Sequence, residues 1–283
     1  MRGYAMTAME KIQPTKSIKP RKVRLPFNDV TTTYFYDNNA LISAFMAALS
    51  ATFPPGEKSF IDAVRHYRDQ IDDPELQAQI QGFIGQEGHH SHQHKEINRK
   101  LDDLGLYATR LEAELEARIE KEQPLSKHED RLAFTAGMEH MTAIMAEYIL
   151  THQDVLDPLP NSTRELLLWH AVEEIEHKAV AFDVYDKVVG DRNKLRIIMA
   201  VQTFEFVRLI SSYQFKLLWW AKKVPSLKDV FGAAKFLAGK NGLLPNIAKP
   251  YLDYYRKDFH PWDNNNQALI DAWKRDHPDL ANC

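Results

Sequence analysis

The chain has 283 residues, 44% of them hydrophobic and 27% charged, which is enough apolar material for a sizeable core and excludes wholesale disorder. A formal net charge of −3 gives no global pull toward polyanions, so no nucleic acid is expected as a partner and any attraction to an anionic surface must be local. The only cysteine, Cys283, is the last residue, which excludes an internal disulfide, leaves metal ligation to nitrogen and oxygen donors, and fits a reducing, cytoplasmic setting.

In chain order, residues 1–26 read as a flexible basic arm. Lys11, Lys16, Lys19, Arg21, Lys22 and Arg24 fall there without apolar periodicity, and no apolar h-region of a secretory signal follows them. Residues 27–190 read as a metal-binding helical bundle and 191–283 as a helical extension packed on it. A first helix over 38–52 is expected to stop at Pro54, Pro55 and Gly56, with a second starting at Glu57 and running to 71. Pro74 suits a first-turn position and opens a helix over 75–101. A charged connecting helix follows over 106–123, then long helices over 128–154 and 162–188, the latter opened by Ser162 and Glu165 as a capping box. The extension holds helices over 195–222 and 227–237 and a tail with FHPWD (259–263) and an amphipathic close. No sustained alternation suggests a sheet, so the class is all-α. Four long helices of similar length predict a ferritin-like four-helix bundle with additional N- and C-terminal helices.

The chemistry is concentrated in two segments. In WHAVEEIEHKAVAFD (169–183), His170, Glu174 and His177 project from one helix face. Glu173 lies at its edge, while Glu176 points away and reads as solvated. In IGQEGHHSHQHKE (84–96), Glu87 and His90 repeat the Glu-x-x-His spacing, His94 falls on the same stripe, and His89 and His92 point elsewhere. One Glu-x-x-His is an ordinary i, i+3 pair; two on two long helices predict a dinuclear site that needs one further glutamate from each of two other helices. Glu57 and Glu139 stand one hairpin length earlier. Glu147 competes with Glu139, and His94, Glu147 and Glu173 are candidates for an extra ligand or a supporting role. Four carboxylates against two divalent cations make a neutral centre, and a nitrogen and oxygen donor set suits iron, with manganese or zinc as alternatives.

FPPGEKSFIDAVRHY, FIGQEGHHSHQHKEIN, MEHMTA, WHAVEEIEHKAVAFDVY and FHPWD together resemble the bacterial family of predicted metal-dependent hydrolases, over about residues 20–265. The ligand pattern is also similar to that of ferritin-like di-iron arylamine N-oxygenases. That likeness implies Glu57, Glu87, His90, Glu139, His170, Glu174 and His177 as ligands. The two resemblances diverge in reaction type. We rank an O2-activating oxidase or oxygenase first, hydrolysis second and iron binding without catalysis third.

The segment 195–223 is the most apolar region, with a polar stripe of Gln202, Glu205, Arg208, Ser212 and Lys216. Its charges argue against a membrane span, and packing on the bundle is its simplest role. Trp219 and Trp220 beside Lys222 and Lys223 also suit a peripheral membrane contact. The partners expected are a small-molecule substrate of hydrophobic character and, as an open option, a second copy of the chain. FHPWD reads as a structural lock, with His260 a marginal ligand candidate.

Overall fold

The computed structural model describes residues 18–281. Lys11, Lys16 and Cys283 lie outside them. The described residues are helical, with no strand. They form α1 (Ala40–Tyr67), α2 (Pro74–Asp103), α3 (Ala108–Glu122), α4 (His128–Thr151), α5 (Asn161–His177), α6 (Val180–Val188), α7 (Arg192–Trp220), α8 (Leu227–Ala238), α9 (Leu243–Asp253), α10 (Gln267–Asp276) and α11 (Pro278–Ala281).

Local chemistry sets most of the ends. Asp73 accepts from the backbone N–H groups of Glu75 and Leu76 and caps α2, with Pro74 in its first turn. The same helix closes where Gly105 takes φ +88°. Leu106 donates to the Leu101 carbonyl and Gly105 to that of Asp102, the paired bonds of a glycine-terminated helix. The expected capping box at Ser162 is absent. α5 starts after Pro160, and Ser162 gives both its backbone N–H and its hydroxyl to Asp29 of the distant N-terminal segment.

The expected break at Pro54 and Pro55 does not occur, so Glu57 lies inside one 28-residue helix. Proline at 54 removes the donor that would reach the Ser50 carbonyl. Asn98 Nδ2 supplies a replacement at 3.2 Å, while the Ser50 hydroxyl donates to Asn98 Oδ1 at 2.7 Å. Asn98→Ala is expected to lower unfolding stability by about 1–3 kcal/mol, the cost of a buried polar group left unpaired, as read by urea denaturation.

α1 packs along α2, and α4 along α5 and α6, with α3 running beside α1 and α2. Two apolar clusters occupy the two ends of this core. One holds Ala47, Leu101, Leu150 and Trp169; the other holds Val64, Phe83, Leu132 and Phe182. Followed along the chain, α1 and α5–α6 run from the first cluster to the second, and α2 and α4 run the opposite way. α3 therefore spans the length of the bundle between α2 and α4. The polar residues at 57, 87–90, 139 and 170–177 fall between the clusters on every helix, which places them in one buried layer.

Residues 18–26, assigned above to a flexible arm, are instead fitted to α2. A side-chain carbon on Gly82 would come 2.4 Å from the Ile18 carbonyl, and one on Gly85 would come 2.3 Å from the Pro20 ring. Only glycine admits so close an approach. Arg21 is 2% exposed.

In the extension, α7 buries Leu195, Met199, Ile210, Tyr213 and Leu217 against α1 and α4, while a second apolar side faces solvent. α9, unmarked in the sequence reading, packs on α4. FHPWD is a lock: His260 Nε2 meets Asp183 at 2.9 Å, Asp263 accepts from the His260 backbone N–H, and Arg256 holds Asp263. No helix among the described residues is long and apolar enough to cross a membrane.

Candidate metal centre

α1 contributes Glu57, α2 Glu87 and His90, α4 Glu139, and α5 His170, Glu174 and His177; all seven are buried. Their donor atoms form three overlapping groups, each compact enough for an ion: Glu57 with His90 and His170, Glu87 with His90 and Glu174, and Glu87 with Glu139 and His177. The layer thus has two lobes. His170 Nε2 lies 4.0 Å from Glu57 and 2.8 Å from Glu174 in one, while His177 Nε2 lies 3.2 Å from Glu139 in the other. Glu87 Oε1 is shared, 3.5 Å from His90 and 3.2 Å from His177. Glu174 also faces both, Oε1 toward His170 and Oε2 toward His177 at 3.6 Å.

Whether these groups suit a metal is tested by their unmet bonding. Both oxygens of Glu57, Oε1 of Glu87, Oε2 of Glu139 and of Glu174, Nδ1 of His90 and Nε2 of His177 are buried without a hydrogen bond. Buried polar atoms are rarely left so, and seven converging from four helices are accounted for together by cations.

The other nitrogen of each imidazole is held. His90 Nε2 faces Glu173 at 3.1 Å, His177 Nδ1 faces Gln86 at 2.9 Å, and His170 Nδ1 faces His94, which is backed by Ser50 at 2.9 Å. Such partners select the tautomer and aim the free nitrogen. Glu173 and His94 thus contact the imidazoles and fall outside the three groups. Glu147 is excluded from it: half-buried, it accepts from Asn264 at another surface.

Glu176 corrects the sequence reading. It is 3% exposed, not solvated, and accepts from Arg21, Gln86 and Lys274. Arg21 also pairs with Glu173 at 3.1 Å. One guanidinium thus links the carboxylate that orients His90 to the one that holds Gln86 and, through it, His177. The positive charges of Arg21 and Lys274 offset those of Glu173 and Glu176, which makes the burial tolerable. His92 is exposed and His89 half-buried, its Nδ1 at 3.1 Å from the Arg21 carbonyl.

Without metal the cluster balances itself with protons. Burial, then the Glu87 charge, raises Glu57 well above its ordinary value and Glu139 to about 8. Burial also opposes ionisation of Glu87, but the facing imidazoles of His177 and His90 outweigh it and leave it lowered. Against burial, His177 and His170 hold Glu174 well below the usual range. Burial disfavours both imidazolium ions, yet Glu173 and Glu87 bring His90 to about 10, and Glu174, Glu139 and Glu87 raise His177. His170 is lowered by burial and by the His90 charge. The shifts thus favour protons on Glu57, Glu139, His90 and His177 and ionisation of Glu87 and Glu174.

The fold and this layer define an all-helical protein with a buried carboxylate and imidazole cluster of metal-binding character. Residues 19–265 match the model of the family described as predicted metal-dependent hydrolase, and the chain belongs to that family. Comparison with curated proteins and with solved structures gives no match.

Proposed function

We propose that this chain is a metal-dependent hydrolase whose core, ferritin-like in its helix order, holds two divalent ions. The observation that carries this reading is the convergence of seven unsatisfied carboxylate and imidazole atoms in one buried layer. Family membership moves hydrolysis ahead of the O2 chemistry ranked first from the sequence.

Glu57, His90 and His170 would hold one ion and Glu139 and His177 the other, with Glu87 and Glu174 between them. Bound there, a pair of divalent ions would polarise a carbonyl and lower the pKa of water. The chain itself sets orientation and access. Glu173, Gln86 and His94 aim the three imidazoles. A cavity of about 120 Å³ reaches His170 and Glu174 along walls of Leu49, Phe53, Ala146 and Leu167. Phe53 packs on both His94 and His170, with ring centroids 4.5 and 4.7 Å away. The apolar lining selects an apolar substrate group and excludes bulk water from the layer.

The donor set supports a second reading. Four carboxylates and three imidazoles inside a helical bundle also suit iron that reacts with O2. Reconstitution of metal-stripped protein with zinc, manganese or iron(II), followed by assay on apolar chromogenic esters and amides without oxygen, decides between them. Hydrolysis under anaerobic conditions with zinc or manganese is the expected result. Oxygen uptake by the iron form, with no anaerobic turnover for any metal, would establish the second reading instead.

A further inference from the structure

The cavity that begins at His170 and Glu174 ends against Phe236 of α8 and Leu243 of α9. A surface groove beside it shares the walls Tyr148, Val155 and Phe236 and is lined by Lys228, Lys235 and Lys240. This corner is unusual in a chain of net charge −3. Between Trp219 and Lys249 there are six lysines and one acidic residue, Asp229. Asp229 is occupied, accepting from the Ala40 and Ser226 backbone N–H groups. Lys222, Lys228, Lys235, Lys240 and Lys249 are exposed.

The same corner displays apolar side chains that a soluble surface has no reason to gather. Trp219 is 71% exposed, Val224 86%, Leu227 76% and Phe231 72%. Apolar and aromatic groups interspersed with lysines are what a bilayer interface binds: the former enter the headgroup boundary and the latter meet anionic lipid. The groove's acidic residues, Asp37 and Asp154 beside Asp229, leave the lysines in excess over 219–249 as a whole.

We propose that the end of α7 together with α8 and α9 docks on an anionic phospholipid surface, and that the cavity takes an acyl chain from it to the metal layer. The excess of positive charge over 219–249 and the exposed apolar groups commit the face to lipid rather than to a second copy of this chain, for which the same excess of like charge would be repulsive. The acyl-chain part rests on the metal-centre reading above. A cavity of this volume is close to one that admits a benzene ring, so it takes part of a chain, with the remainder in the groove.

Sedimentation of the full chain with vesicles of phosphatidylcholine alone, or of phosphatidylcholine and phosphatidylglycerol in equal parts, tests the docking. Binding is expected to the mixed vesicles only, with a blue shift of tryptophan fluorescence and loss in high salt. A triple variant, Lys228→Gln, Lys235→Gln and Lys240→Gln, should bind about a hundredfold more weakly, since each lysine near such a surface contributes about fivefold. Phe231→Asp should weaken binding without altering the circular dichroism. Absence of binding, binding unchanged in both variants, or a dimer that Phe231→Asp dissociates would overturn the proposal. Because metal content is measured separately, failure here leaves the metal-centre reading standing, and a metal-free protein that still docks would remove the substrate assignment alone.

Discussion

Glu87→Gln is expected to empty both halves of the centre, taking metal content from about two ions per chain to near zero. Glu57→Gln and Glu139→Gln should each leave about one. The asymmetry follows from geometry: Glu87 Oε1 stands between His90 and His177, and Glu174 presents one oxygen to each lobe, whereas Glu57 and Glu139 serve one lobe apiece. A glutamine keeps the volume and removes the charge, so packing between the apolar clusters survives while two cations lose a shared counter-charge. Elemental analysis after exhaustive desalting gives the stoichiometry, and circular dichroism verifies that each variant is folded. Glu87→Gln with full metal content would remove the assignment. Equal loss in all the single variants would show one cooperative site rather than two lobes.

The parts of this centre that were legible in sequence are those whose geometry is local. Glu87 with His90, and His170 with Glu174 and His177, share a helix face because the spacing alone puts them there. The apolar context of Glu139 favours it over Glu147; the structure buries Glu139 beside Glu87 and His177 and directs Glu147 to Asn264. The helix-breaking signal at Pro54 fails because the Ser50 carbonyl it strands is met by Asn98, 48 residues from Ser50 and with no mark in the local pattern. Glu176 was misplaced for a related reason. It does lie off the ligand face, but that direction leads to Arg21, whose segment looked like a solvated arm. The glycines at 82 and 85 were the available signal, since two small residues a turn apart on a ligand-bearing helix mark a close approach of backbone. Periodicity finds what a helix presents; it does not identify what arrives from 155 residues away.

Loading the metal-free protein with divalent ions at pH 7 should release protons, because metal ligands must be deprotonated. They come from Glu139 and His90, raised to about 8 and about 10, with Glu57 and His177 shifted in the same direction. Affinity should therefore rise with pH, and the release should fall above pH 8 as Glu139 loses its proton unaided. Stability of the metal-free form carries the matching sign. Glu139 is raised from 4.5 to about 8, so between those values the folded chain keeps a proton the unfolded chain has lost, and its stability falls as pH rises. His90, raised from 6.5 to about 10, contributes fully below 6.5 and loses its contribution as pH climbs toward 10. Glu87 and Glu174 are lowered, so their contribution is present above 4.5 and is lost only in acid. From pH 6 to 8 the melting temperature of the metal-free protein should drop while that of the loaded protein holds, widening the gap between them. Indicator-dye titration in weak buffer reads the protons, and paired thermal melts read the gap. Metal uptake with no proton release, or a gap that narrows over this range, would mean that the ions bind somewhere other than this layer.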